Sequence, residues 1–259
     1  MGSTHGWLYT VNESLGITLI NPFSGATIEL PSIMEPSKLE PPHEDYDNDD
    51  DDFEVIKVIL SADPASSPND YIVTAIYSGC HSLVFIQAGD DAWTCINTER
   101  FIMIYDVTYY KGQIFAIDNR GGVRMIDVNR RPGDGMALQV KVIIPRTNVY
   151  SKPKYFVVVE SSMGDLLLVK RIFKSKNDTH HTTFKVFKLL LDQFEQGWAK
   201  LVEMKSLGSD TLFLGHNHSI CVSASKWPGC ELNSTYADDF IDLLWHPRRH
   251  EIDIFNIEN

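Results

Sequence analysis

Short apolar runs, broken by Gly, Asn, Asp and Ser, set the rhythm of this chain. "WLYTV" (7–11), "ITLINP" (17–22) and "TIEL" (27–30) open it. "YIVTAIY" (71–77), "SLVFIQ" (82–87) and "WTCI" (93–96) follow, then "QIFAID" (113–118), "VRMIDV" (123–128) and "LQVKVII" (138–144). Next come "KYFVVVE" (154–160), "LLLVKRIF" (166–173), "TTFKVFKLLL" (182–191) and "WAKLVEM" (198–204). "TLFLG" (211–215), "SICVSA" (219–224) and "EIDIFNIE" (251–258) close the series. The runs are short, rich in β-branched and aromatic residues, and bounded by turn formers, which predicts hairpin-linked strands and an all-β protein. The best helical candidate, "FKLLLDQFEQGW" (187–198), is short and interrupted by Gly197.

The runs group into a repeated unit of strand, tight turn, strand, Gly/Asp turn and returning strand. Trp opens the returning strand in "SLVFIQAGDDAWTCI" (82–96) and in "TFKVFKLLLDQFEQGWAKLVEM" (183–204). Units begin near residues 7, 71, 113, 154 and 211, at gaps of 64, 42, 41 and 57. Two gaps match the roughly 40–50 residues of a propeller blade. The two longer ones hold insertions: an acidic, Pro-containing loop at 36–54, and a paired-strand stretch with the polar tip "KSKNDTHHT" (174–182). The expected architecture is a single β-propeller domain over 1–259, built of short antiparallel blades, with closure of the ring at the termini left open.

Composition narrows the function. The formal net charge is −12, and the run "EDYDNDDDDFE" (44–54) supplies eight of the carboxylates. The remainder is only mildly acidic and shows no basic face of the kind a nucleic-acid binder carries, so neither nucleic acid nor a membrane is expected as a partner. No apolar stretch approaches the roughly 20 residues of a membrane helix. The opening "MGSTHGWLYTV" has no basic, apolar leader pattern, which predicts a cytoplasmic or nuclear location. Cys80, Cys95, Cys221 and Cys230 are dispersed and read as reduced thiols.

Several segments then resemble a known family. "GSTHGWLYTVNE" (2–13), "ITLINPFSGATIELP" (17–31), "LSADPASSPNDYIVTAIYSG" (60–79), "FIMIYDVTYYKGQIFAIDNRGGVRMIDV" (101–128), "LFLGHNHSICVSA" (212–224) and "DIFNIE" (253–258) look like the plant F-box-associated β-propeller family, which includes the brassinosteroid-pathway F-box adaptors. The resemblance implies a non-enzymatic protein-recognition propeller, the substrate-binding part of an SCF-type ubiquitin ligase adaptor. It implies no cofactor, and a protein target of which protein kinases are one candidate class. The chain opens directly on the propeller motif, without the F-box of its family, so this chain alone is not expected to bind the Skp-type adaptor.

The residues offer an alternative, a ligand- or metal-binding propeller with enzymatic activity, and each candidate is weak. A calcium loop needs Gly at its sixth position and Glu at its twelfth; counted from Asp45 these are Asp50 and Ile56. The acidic run therefore reads as a solvated loop. His216, His218, Cys221 and Cys230 match no standard zinc spacing. Asp63, Asp70, Asp106 and Asp118 sit at strand or turn edges, where carboxylates cap backbone N–H groups. "NRGGV" (119–123) joins two strands and reads as a hairpin turn. No catalytic, cofactor-binding or metal-binding residue is assigned. Tryptophans at strand starts are expected to pack between blades. That leaves Trp227 and, in "WHPRRH" (245–250), Trp245, Arg248 and Arg249 as candidate protein contacts, because Trp and Arg dominate interface energetics.

Overall fold

The computed structural model describes residues 2–33, 54–77, 82–96, 102–128, 138–146, 154–176, 179–195, 198–215, 218–238 and 252–256. Twenty strands run through these residues, together with one 3₁₀ turn at Ala224–Lys226. They form five four-stranded sheets. The first holds β1 (Gly2–Thr4), β2 (Trp7–Val11), β3 (Ile17–Ile20) and β4 (Thr27–Glu29). The second holds β5 (Val55–Leu60), β6 (Ile72–Tyr77), β7 (Ser82–Gln87) and β8 (Thr94–Ile96). The third holds β9 (Ile104–Tyr110), β10 (Gln113–Asp118), β11 (Val123–Asp127) and β12 (Gln139–Ile144). The fourth holds β13 (Lys154–Glu160), β14 (Leu166–Lys176), β15 (Thr179–Glu195) and β16 (Trp198–Met204). The fifth holds β17 (Asp210–Leu214), β18 (Ser219–Ser223), β19 (Ser234–Asp238) and β20 (Ile252–Asn256).

The all-β expectation holds, and the repeat is longer than the one read from the sequence. Each of the first three sheets gains a leading strand: β1, β5 or β9. The fifth sheet departs further. Its spatial order is β18-β17-β19-β20, and β17 pairs with β19 in parallel, Phe213 opposite Tyr236. Those two rings stack with centroids 4.8 Å apart, an aromatic contact that helps fix the register. The helical candidate is strand: Phe187–Glu195 belongs to β15 and Trp198 opens β16.

The chain divides into two compact units. In the first, residues 1–104 and 127–138, the two sheets share one core. Strand alternation sends Trp7 and Tyr9 of β2, Ile17 and Leu19 of β3, and Val73, Ala75 and Tyr77 of β6 into it. Polar bonds strap the sheets together. Trp7 Nε1 donates to Asp63 at 2.7 Å, the Leu60 N–H to Thr4 Oγ1 at 3.2 Å, and Trp93 Nε1 to the Pro31 carbonyl at 2.7 Å.

The second unit, residues 105–126 and 139–259, is built from the other three sheets. One face of the fourth sheet sends Val158, Leu166, Leu168 and Leu189 against Phe115, Ile117 and Val123 of the third. Its opposite face sends Val159, Leu167, Val169 and Val186 against Leu212, Leu214 and Cys221 of the fifth. Burial on both faces explains the near-continuous apolar run of "LLLV". Here too carboxylates make the straps. Asp106 accepts the Val158 N–H at 2.9 Å, and Asp210 accepts the Ser162 N–H at 3.1 Å together with the Ser162 hydroxyl.

The acidic loop predicted at 36–54 falls between β4 and β5; apart from Glu54, its run 44–54 lies outside the described residues. The second insertion is the long β14–β15 hairpin, paired from Leu167–Lys188 out to Lys176–Thr179.

Candidate functional site

Trp227 stands in the connection from β18 to β19. Its own N–H donates to the Ala224 carbonyl at 3.2 Å, and its carbonyl accepts the Cys230 N–H at 3.1 Å. Between them, Pro228 suits the fixed φ of a turn's second position, and Gly229 takes φ 95° at the third. The turn therefore holds Trp227 outward, with 58% of its surface exposed. Leu232, five residues on, is 61% exposed.

Both ends of this loop are anchored: at the β18 end the Ala224 N–H donates to the Ser209 carbonyl at 2.9 Å, and the remaining bonds hold the β19 end. Thr211 Oγ1 donates to the Glu231 carbonyl at 2.6 Å, and the Asn233 N–H to the Asp210 carbonyl at 3.0 Å. The Asn233 side chain accepts the Leu207 N–H at 2.7 Å and the Ser206 hydroxyl at 3.1 Å. Two large apolar side chains thus stand in water on a braced support, the arrangement of an interface anchor. Trp245, Arg248 and Arg249 lie outside the described residues. Leu232 was invisible to sequence reasoning, since a lone Leu between polar residues carries no periodic signal.

The other tryptophans divide. Trp7 is buried as expected and Trp93 is half-buried against the first unit's core. Trp198 is not packed between sheets: it is 39% exposed, while Ala199 beside it on the alternate face is buried in the core.

The chemical candidates resolve into structure. Asp63 accepts the Ala65 N–H at 2.9 Å and the Ser66 hydroxyl at 2.8 Å as well as Trp7. Those bonds, Trp7 foremost, hold its carboxyl below the ordinary carboxylate range. Asp118 is fully buried. One oxygen accepts the Arg120 and Gly122 N–H groups at 2.8 and 3.0 Å; the other accepts Arg124 Nη1 at 2.8 Å and lies 3.1 Å from Arg146 Nε. Gly122 is required there, since a Cβ would stand 2.6 Å from Asp118 Oδ2. Asp118 thus closes the "NRGGV" hairpin turn.

Of the zinc candidates, His216 is outside the described residues and Cys221 is otherwise engaged. Its thiol donates to Asp210 Oδ2 at 3.3 Å, and burial pushes it up to about 12. Among the described residues no three His, Cys, Asp or Glu side chains converge on a common point.

Four-stranded sheets, packed face against face within each unit and strapped by polar side chains, define a β-propeller protein. The chain belongs to the KIB1-4 beta-propeller family, which it matches over residues 1–256. It is 25% identical over 266 aligned positions to an F-box protein of Arabidopsis thaliana, covering 93% of this chain and 74% of that one. It is 27% identical over 159 positions to a putative F-box protein of the same plant, covering 58% of this chain and 39% of that one. Among solved structures, the Cps50 (Swd1) β-propeller domain of Myceliophthora thermophila aligns at 12% identity, with a TM-score of 0.42, over 98% of this chain and 67% of that one.

Proposed function

We propose that this chain is a non-enzymatic protein-recognition propeller, acting as the substrate-reading part of an F-box-type ubiquitin ligase adaptor. The observation that carries this reading is the exposure of Trp227 and Leu232 on a loop anchored at both ends. An unbraced loop would lose conformational entropy on binding; a braced one has lost it already. The F-box names of its plant relatives support the ligase context. The target is a protein, with kinases as the first class to examine, in the cytoplasm or nucleus. The chain alone is not proposed to hold the Skp-type adaptor.

The test is affinity capture from plant extract with the wild-type chain and with W227A/L232S, the melting temperature of each being checked first. We expect a discrete partner to be recovered by the wild type and lost from a variant of unchanged stability. An identical partner set from both proteins would remove the Trp227 loop as the recognition site. A W245A/R248A/R249A variant probes the second predicted contact in the same way.

A further inference from the structure

The β13–β14 turn, residues 161–165, carries an apolar side chain that the turn itself does not require. The Ser161 N–H donates to the Asp165 carbonyl at 2.8 Å, and the Gly164 N–H to the Ser161 carbonyl at 3.0 Å. The Ser161 hydroxyl accepts the Met163 and Asp165 N–H groups at 3.2 and 3.0 Å, and Gly164 takes φ 80°. Ser161 and Gly164 thus supply the turn chemistry, and a polar residue would serve at position 163. Met163 stands there instead, 83% exposed. An apolar side chain held in water against local preference marks a functional surface.

This turn is fixed to the loop that bears Trp227. Asp210, buried at the start of β17, accepts the Ser162 N–H at 3.1 Å and the Ser162 hydroxyl through its carboxylate. Its backbone carbonyl accepts the Asn233 N–H at 3.0 Å. Ser162 precedes Met163, and Asn233 follows Leu232. Met163 and Leu232 are therefore each one residue from a group bonded to Asp210, although they stand on connections of different sheets. Asp210 is also paired with Ser223 at the end of β18, where the Trp227 connection begins. On its other side the turn is braced by Tyr110 of the third sheet, whose hydroxyl donates to the Gly164 carbonyl at 2.7 Å. Met163, Leu232 and Trp227 thus share one end of the second unit, each on a fixed support.

The surroundings narrow what this end can receive. Its exposed charges are mixed in sign: Lys111, Lys205 and Lys226 with Glu160 and Glu231. Asp165 is held by Lys188 at 2.7 Å. No strong local field recruits a charged ligand, and the chain's net charge of −12 repels acidic segments and anionic membrane surfaces alike. Side chains this exposed rise from the surface and do not enclose a small molecule. Together they offer roughly 400 Å² of apolar surface, the size of a functional patch and about half of what each member of a stable dimer buries. We infer that Met163, Leu232 and Trp227 act as one surface that seats an apolar, non-acidic peptide segment of a partner protein. The inference rests on the recognition reading above and adds to it an anchor from another sheet and the chemistry of the segment.

The experiment pans a phage-displayed dodecapeptide library on the full chain. Enriched peptides are then synthesised with a fluorescein label and titrated by anisotropy. The variants are M163S, W227A/L232S and F23S, each first checked for an unchanged melting temperature. Phe23, 91% exposed on the β3–β4 turn of the first unit, is the control. Enriched peptides are expected to carry apolar residues and no Asp or Glu. They are expected to bind M163S and W227A/L232S about tenfold more weakly than wild type, and F23S equally well. Loss with only one of the first two variants overturns the shared surface; if that one is W227A/L232S, the recognition reading still stands. Loss with neither, enrichment of acidic peptides, or no enrichment at all overturns the inference. So does a dimer in sedimentation that M163S abolishes, which would give the surface to a second copy. Binding to phosphatidylserine vesicles that M163S weakens would give it to a membrane and overturn it likewise.

Discussion

Asp118 shows how much a single residue decides in this chain. Its carboxylate is fully buried, yet it meets two backbone N–H groups and Arg124, itself 3% exposed. Removing one partner of such a pair leaves an uncompensated buried charge, which costs far more than the pair contributes. Asp118→Ala is therefore expected to destabilise the protein by about 3–5 kcal/mol in urea or guanidinium unfolding. A loss under about 1 kcal/mol would show that Arg124 finds another partner or water. Sequence reasoning placed Asp118 at a turn edge correctly, because Asp before "NRGGV" is a turn signal. It did not foresee Arg124 and Arg146, since the distance between a side chain and its partner is a property of the ladder and not of spacing along the chain.

At the scale of elements, the straps between sheets repeat one device: a polar side chain on one sheet reaching the turn or backbone of the next. Asp63 is the clearest case, because Trp7 Nε1 lies on another sheet. A carboxyl held below its ordinary value contributes stability that is fully present above the unfolded-state pKa, about 3.9, and is lost as pH falls through the folded value. Melting temperatures from pH 7 down to about 2.5 are thus expected to show D63N less stable than wild type at neutral pH, with the two converging in acid. A constant difference across that range would assign the effect to packing instead of charge. The element boundaries tell a related story. "WLYTV", "SLVFIQ", "QIFAID", "KYFVVVE" and "WAKLVEM" are strands with the bounds read from the sequence, because alternation and β-branched content both point the same way. Leading strands were missed, and so was β19. "VIKVIL" abuts the acidic run, "IYDVTYY" breaks alternation with Asp106, and "STYAD" has only Tyr236 and Ala237 as apolar residues, adjacent rather than alternating. That last strand exists because β17 offers it a parallel edge.

For the whole molecule, charge and fold are separable. The run 44–54 supplies eight carboxylates and falls between two complete sheets. Deleting 44–53 removes seven of them and takes the net charge from −12 to −5. Closing the shorter connection between β4 and β5 changes loop entropy by only about 0.5 kcal/mol, since that term grows with the logarithm of length. The variant is expected to melt cooperatively within a few degrees of wild type; a large fall would mean that the run contributes to the core.

The sequence by itself determined the strands with strong alternation, the all-β class, the turn chemistry of Asp63 and Asp118 and the family, because these depend on local residue preference and on order along the chain; Asp106, expected at an edge, lies inside β9 and reaches Val158 instead. Tertiary structure alone decided which strands share a sheet, which aspartates strap neighbouring sheets, and which apolar side chains remain in water. Trp7, Trp198 and Trp227 are the same residue type in three environments. Packing between sheets buries the first, the outward face at the start of β16 leaves the second part-exposed, and a braced Pro-Gly turn holds the third out in water.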